Sequence, residues 1–470
     1  MGRIFREAKH VMCWLGRDDS SVANDCFRFI RNARIAMEQE FQPEWTMGNL
    51  IRDTKLLGVS KTAREWDLVA QLFGISWFQR VWIVQEVALA KACYLCWGTY
   101  QVHFYEALSV ASWLAYSIHA PSPNKGARVG KLISDVFIDI MHTFDNRPTW
   151  RDMILFSKIL EDLHPARKQL YVDLLFYARS LQVTDQRDVI YSSLGSPLAH
   201  SFNGEVMVTP DYTEPWEQQQ IRAAKALLRN SREGPYVLSM IIHDSEAELL
   251  DDQIPSWVPR WNTFDKTSNR PVPLTSTYEY RQKPFRASLG SPLFNPTFPS
   301  PDILSVTGWK YDTVAWVSSR LKFVDLQGDL EDWKPHLGEK NTTPIELAWL
   351  QLLDKTSMPP EELIRPFSVT LARGRPASDD HVDDLLLYCE RLRSKAGTET
   401  ISPFPPSSPT LGDLSNAERS IPRSRDRRLA MTALGRMALV PLIAEANDIC
   451  CIVQGMDVPI VLRNATNGTY

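Results

Sequence analysis

The chain lacks a membrane span. Among its 470 residues no run approaches the roughly 20 consecutive apolar residues of a bilayer-crossing helix. Its start, MGRIFREAKHVMCWLG, has no uninterrupted apolar stretch and does not read as a secretory signal. Arg6 stands where a myristoylation motif wants Ser or Thr. A basic excess is missing too. The 52 Lys and Arg face 56 Asp and Glu, for a net charge of −4, without the electrostatic footprint of a nucleic-acid or membrane-surface binder. No disulfide framework is present: the seven cysteines, Cys13, Cys26, Cys93, Cys96, Cys389, Cys450 and Cys451, are odd in number and scattered. Cys93 and Cys96 have C-x-x-C spacing, but no second pair and no histidine cluster accompanies them, so they read as strand or core cysteines. The chain contains no G-x-G-x-x-G, P-loop, H-E-x-x-H or G-x-S-x-G. His243 and Asp244 are adjacent, a spacing that seldom makes a catalytic dyad. These absences predict a soluble, cytoplasmic protein with no metal, no cofactor, no nucleic-acid partner and no membrane span.

What is present is an ordinary globular composition, 44% hydrophobic and 23% charged, long enough for two or three domains. Residues 1–110 alternate helix and strand signals. The apolar run Val11 to Leu15, stopped by Gly16, predicts a strand. Val22, Cys26, Phe29, Ile30 and Ala33 at helical spacing predict a helix capped by Ser20 or Ser21. AREWDLVAQLFG predicts another helix, and KACYLCWGTYQVHF a strand and turn. Residues 111–250 read as a mainly helical region. Residues 255–322 and 426–470 read as one β module built from two distant segments. In it DILSVTGWKYDTVAWVSS forms a hairpin about Gly308, and the C-terminal block forms three short strands. Residues 323–395 read as a variable helical insertion. The Pro-, Ser- and Thr-rich residues 396–425 read as a disordered linker. The triplet Asp426-Arg427-Arg428 has the charge to bind phosphate; a solvated strand start is the plainer reading.

The stretch WFQRVWIVQEVALA, Trp77 to Ala90, reads as one buried helix. On a helical wheel Phe78, Trp82, Gln85 and Leu89 share a stripe, with Glu86 to one side of it. Val81, Val84, Val87 and Ala88 make the other faces apolar, and a helix apolar on most sides is buried. A buried carboxylate costs several kcal/mol unless paired or protonated. Glu86 is therefore expected to have a partner such as Arg80, Arg17 or backbone amides, a raised pKa, or a pocket that admits water. It is either a structural carboxylate or a pocket carboxylate that meets a ligand. Trp82 reads as core packing.

Several blocks of this sequence resemble those of fungal heterokaryon incompatibility (HET) domain proteins. WFQRVWIVQEVALA is similar to their W-F-x-R-x-W-x-x-Q-E block, and MGRIFREAKHVMCWLG to M-x-x-I-Y-x-x-A-x-x-V-x-x-W-L-G. TDQRDVIYSSLG is similar to their R-D-x-I-Y-x-x-L-G segment, and VTPDYT and PSWVPRW have close counterparts. RRLAMTALGRMALVPLIAEANDICCIVQGMDVPIVLRN is similar to their C-terminal block, with Asn447 where the family usually has Gly. The motif residues are Trp14, Gly16, Trp77, Trp82, Arg187, Asp188, Tyr191, Gly435 and Pro441. The resemblance implies a TIR-like α/β HET domain, incomplete at its N-terminus, followed by a mostly helical region and a small β module. It implies a role in allorecognition and regulated cell death after unlike fungal cells fuse, through self-association or other proteins. Related TIR domains cleave NAD with a glutamate. That alternative makes Glu86 the candidate catalytic residue, Arg80 and Gln85 its candidate binding neighbours, and NAD a substrate. The A-L-S-Y-x-W-G and W-I-D-x-x-C-I-N-Q segments that open the family pattern, and its closing Y-x-x-(I/V)-G-x-x-Y, are absent. Truncation at both ends is therefore expected. It would leave an open sheet edge and weigh against catalysis, and it adds a third reading, a non-functional remnant.

Overall fold

The computed structural model describes residues 2–40, 55–59, 63–116, 170–179, 181–200, 204–230, 233–243, 245–261, 287–289, 294–321, 342–372, 381–396, 402–405, 421–424 and 427–464. Residues 117–169 of the expected helical region, and most of the expected linker, lie outside these. The chain divides into two compact units, Met1–Glu233 with Arg260–Lys266, and Gly234–Pro259 with Thr267–Tyr470.

The first unit runs α1 (Gly2–Glu7), β1 (Val11–Gly16), α2 (Ala23–Glu40), α3 (Ala63–Phe73), a 3-10 turn (Ser76–Gln79), α4 (Ile83–Ala88), β2 (Cys93–Trp97), β3 (Tyr100–His103), α5 (Phe104–Tyr116), α6 (Tyr171–Ala178), α7 (Asp188–Tyr191) and α8 (Trp216–Arg229). Its sheet has the order β1-β2-β3, with β1 parallel to β2 and β3 antiparallel to β2. A parallel pair needs a crossover, and the chain between β1 and β2 supplies helices for it. One face of β1 carries Val11, Cys13 and Leu15 into a core with Phe27, Ile30, Trp66, Val69, Phe73 and Trp113. The other face shows Met12 and Trp14, 55% and 59% exposed. The motif tryptophan Trp14 is thus a surface residue, because period-2 alternation sends it away from the packed helices.

Two expectations about this unit are corrected. Trp77 to Ala90 is not one helix. The chain is extended at Arg80 (φ −82°, ψ 136°), where it forms a parallel bridge with Gln182. Val81 N donates to Gln182 O at 3.0 Å, so these backbone groups bond across the fold instead of continuing a helix. The cap of α2 is Asp18 and neither serine. Its carboxylate accepts from Val22 N at 2.8 Å and Ala23 N at 3.0 Å. Ser21 sits at φ +53°, outside the extended geometry that an N-cap needs.

The second unit holds a five-stranded antiparallel sheet of order β6-β5-β4-β7-β8, built from β4 (Gly308–Arg320), β5 (Arg428–Thr432), β6 (Met437–Val440), β7 (Ile449–Val453) and β8 (Ile460–Leu462). The expected hairpin about Gly308 is one 13-residue strand that starts at this glycine. A Cβ there would lie 2.5 Å from Ile452 O, so the glycine serves a close strand approach and makes no turn. Residues 308–313 of β4 pair with β7, and residues 314–320 pair with β5. Register shifts along both pairings curl the sheet. The C-terminal block supplies four strands where three were expected. Gly435 turns β5 into β6 at φ +75°, and Pro441 follows the last residue of β6.

Helices α9 (Pro344–Leu353), α10 (Pro360–Leu371) and α11 (His381–Ala396) share a core with Leu321 and Leu429 of the sheet region. A capping box of Thr343 and Glu346 starts α9. The expected linker is ordered at 402–405 and 421–424. Phe404 is 5% exposed and lies 5.5 Å from the Trp349 ring, and Pro403 O accepts from Trp349 Nε1 at 3.0 Å. At the described residues of this segment Phe404 and Ile421 both join the helical core.

Among the described residues no helix is long and apolar enough to cross a membrane. Among them no group of three or more His, Cys, Asp or Glu is placed to hold a metal ion.

Candidate functional site

The motif residues of the first unit gather around α4. On this short helix Gln85 and Glu86 point in different directions, as successive helical positions must. Gln85 is 4% exposed and its Nε2 donates to Tyr191 O at 3.1 Å. Its Oε1 faces Gly2 of α1, where a Cβ would lie 3.3 Å away. A Cβ on Gly195 would lie 2.9 Å from Leu89 Cδ1 and 3.4 Å from Gln85 Cδ. Glycine at 195 lets the segment after α7 press against α4, and Arg6 Nη2 donates to Gly195 O at 3.3 Å. Three distant stretches thus meet at one amide side chain.

A second junction lies beside it. Trp82, half-buried, precedes α4, and its indole Nε1 donates to Asp188 Oδ2 at 3.0 Å. Tyr212 Oη donates to the other oxygen, Oδ1, at 2.7 Å. Both carboxylate oxygens are therefore held by neutral donors from separate stretches. Arg187 forms a two-pronged ion pair with Asp185, Nε to Oδ1 at 2.9 Å and Nη2 to Oδ2 at 2.6 Å. This guanidinium keeps the Asp185 carboxyl below the usual range. Arg187 Nη1 also donates to Tyr212 O and Glu214 O, at 2.6 and 2.9 Å, and the guanidinium lies 5.1 Å from the Tyr212 ring centre. Tyr191 Oη donates to Asp211 O at 3.0 Å and accepts from Asp211 N at 2.8 Å. Burial raises the Tyr212 phenol, and the hydrogen bond to Asp188 adds to this. The arrangement fixes the position of these side chains.

Glu86 is apart from this junction. It is half-buried, and its carboxyl is pushed up by burial against the opposing effects of Arg80 and a hydrogen bond with Trp77. Trp77 is 5% exposed and packs edge-on against Phe78 and Phe104. Arg80 itself is exposed. Glu86 also raises the Cys93 thiol, although the larger causes there are the contact with Cys13, 3.4 Å away, and burial. No thiolate nucleophile results. Cys93 is the first residue of β2, so Glu86 sits at the N-terminal end of the strand.

The opposite end of the parallel pair carries a polar cleft of about 340 Å³, lined by Asp18, Ser21, Asn24, Asp25, Gly98, Thr99 and Tyr100. Gly16 ends β1 and accepts from Gly98 N at this rim. The cleft lies beyond the C-terminal end of β2, whereas Glu86 precedes its first residue; a five-residue strand spans roughly 13 Å.

Residues 1–86 match the family model described as heterokaryon incompatibility protein (HET). The HET match ends at Glu86, so it holds Trp14, Gly16, Trp77, Arg80, Trp82 and Gln85. No curated protein and no solved structure matches the chain. Asp188 and Tyr191 lie outside the HET match, yet they bond directly to Trp82 and Gln85 within it, whereas Arg187 is engaged with Asp185, Tyr212 and Glu214. The sequence marks VTPDYT as a block with a family counterpart, but not what it touches. The Asp211 and Tyr212 contacts were missed because no local pattern announces a partner 20 or more residues away.

Proposed function

We propose that this chain acts in heterokaryon incompatibility, as a cytoplasmic protein of fungal allorecognition. It promotes regulated cell death by associating with itself or with other proteins. The observation that carries this reading is the HET match over residues 1–86. A TIR-like fold belongs to the same reading, supported by the parallel β1–β2 pair with helices between its strands. The Asp188 junction holds the end of the HET segment and so presents its surface in one shape.

The enzymatic alternative is TIR-like NAD cleavage with Glu86 as the carboxylate and Arg80 and Gln85 beside it. One observation favours it, the half-buried carboxyl pushed above its ordinary range. Two weigh against it. Gln85 is turned away toward Tyr191. Glu86 lies at the N-terminal end of β2, whereas open α/β sheets bind ligands beyond the carboxyl ends of their strands.

Inducible expression in a filamentous fungal host separates these readings. The wild-type chain is expected to arrest growth, Glu86→Gln to arrest it equally, and Asp188→Ala to relieve it. Loss of both NAD depletion and killing in Glu86→Gln would establish the enzyme instead. A wild-type chain that accumulates without harming the cell would leave a non-functional remnant.

A further inference from the structure

The second unit contains an arginine in the wrong surroundings. Arg427, immediately before β5, is only 9% exposed. Its backbone is fully engaged: its N–H donates to Ser424 O at 3.3 Å, and its carbonyl accepts from Leu321 N at 2.8 Å. Strand alternation puts its side chain on the face of Leu429, toward the core shared with α9, α10 and α11. Its neighbour Arg428 is on the other face, bonded to Ser318 O and Ala444 O at 2.6 and 3.1 Å.

Among the described residues nothing compensates Arg427. Its Nε is enclosed and has no hydrogen-bond partner. Burial alone pulls its pKa down to about 10, with no opposing carboxylate. The buried acids of these helices are engaged elsewhere: Glu346 with Arg393 at 3.3 Å and with Thr343 Oγ1 at 2.8 Å, and Asp384 with contacts of its own. A guanidinium stays charged at any physiological pH, and a buried charge without a partner is strongly unfavourable. A second enclosed donor without a partner among the described residues is Ser319 Oγ, on β4 two residues before Leu321. The reading of this triplet as a solvated strand start does not hold for Arg427.

We propose that Arg427 is the binding group of a site for a small phosphate-class oxyanion, which its guanidinium grips from the edge of the helical core. The planar fork offers paired donors to two oxygens of one anion. A mobile anion supplies from solution the counter-charge that the described residues do not.

Equilibrium dialysis of the full chain against labelled inorganic phosphate, at fixed ionic strength in chloride, tests this. The expected result is one phosphate per chain, with affinity lowered about tenfold or more in Arg427→Met, the scale of one charge-assisted hydrogen bond. Arg436→Gln, which removes an exposed arginine on the β5–β6 turn, is expected to bind as wild type does. If Arg427→Met does not fold, Arg427→Lys replaces it: charge and stem remain, the fork is lost, and weaker binding is still expected. No saturable binding by the wild type overturns the proposal. Undiminished binding by the folded Arg427 variant, or equal loss in Arg436→Gln, overturns it as well.

Discussion

In the first unit the motif carboxylate Asp188 is held by neutral donors; in the second, the carboxylate of Asp448 is held by an arginine. Asp188 takes an indole N–H from Trp82 and a phenol O–H from Tyr212. Asp448, 5% exposed, takes Nε and Nη2 of Arg463, both at 3.0 Å, and the N–H of Glu445 at 3.0 Å. Arg463 also donates to Ile443 O at 2.6 Å, so this one pair fixes the β6–β7 connection to the segment after β8. Each carboxylate ties together segments that are distant in sequence. The difference lies in what remains when the carboxylate is removed. Without Asp188 an indole and a phenol lose an acceptor, and Tyr212, 52% exposed, can turn to water. Without Asp448 a partly buried cation loses its two-pronged, buried partner and keeps only the exposed Glu445 carboxylate at 3.2 Å. Arg427 shows the same contrast inside the second unit, as an arginine without a carboxylate partner among the described residues.

The largest effect is therefore expected for Asp448→Ala. Breaking one side of a buried ion pair costs about 3 kcal/mol, read as a lowered denaturant midpoint for the second unit. A loss no greater than that of Asp188→Ala would break the comparison. Asp188→Ala is expected to cost about 1–2 kcal/mol, the price of orphaned but neutral donors, with a change in tryptophan fluorescence as Trp82 is released. Trp82→Phe should leave little further to lose in that background, which a double-mutant cycle measures. Gly195→Ala is expected to cost about 1 kcal/mol. Its new methyl meets the end of the Leu89 side chain, which can give way, before it meets Gln85.

Glu86 sharpens the comparison from the other side, with the smallest effect. Burial outweighs the Arg80 charge, so its carboxyl titrates higher in the folded state than in the unfolded chain. Such a group binds its proton more tightly when folded. Its contribution is fully present below the unfolded pKa and is lost as pH rises through the folded one. Glu86→Gln is therefore expected to be the more stable protein at pH 7. Its advantage should shrink as pH falls through the ordinary carboxylate range. Denaturation midpoints across that range show it, and a wild type more stable at pH 7 would mean that Arg80 and Trp77 outweigh burial.

Much of the fold was legible because its signals are local. The apolar run ending at Gly16 and the helical spacing of Cys26, Phe29, Ile30 and Ala33 follow from period and turn chemistry; that β4 joins the C-terminal strands follows from the need of short strands for partners. The break at Arg80 was not legible, because Gln182, 102 positions later, competes for the same backbone bonds. Nor was the single strand at Gly308, where a glycine that looks like a turn is needed for close packing. Asn447 carries its own explanation. It adopts φ +77°, a conformation that asparagine tolerates better than most residues with a side chain, where the resembling proteins usually have glycine. In the candidate site the sequence named Trp82, Arg187, Asp188 and Tyr191 as motif residues, but not what they touch.

By itself the sequence determined which segments become strands and helices, since hydrophobic period and capping act over a few residues. It also determined the HET match of residues 1–86. Only the tertiary structure decided that Gln85 and Glu86 face different surroundings, that Asp188 joins Trp82 to Tyr212, and that Arg427 is buried with no counter-ion among the described residues. Those outcomes depend on which distant groups reach hydrogen-bonding distance, and on how much water each group gives up, neither of which is encoded in local period or spacing.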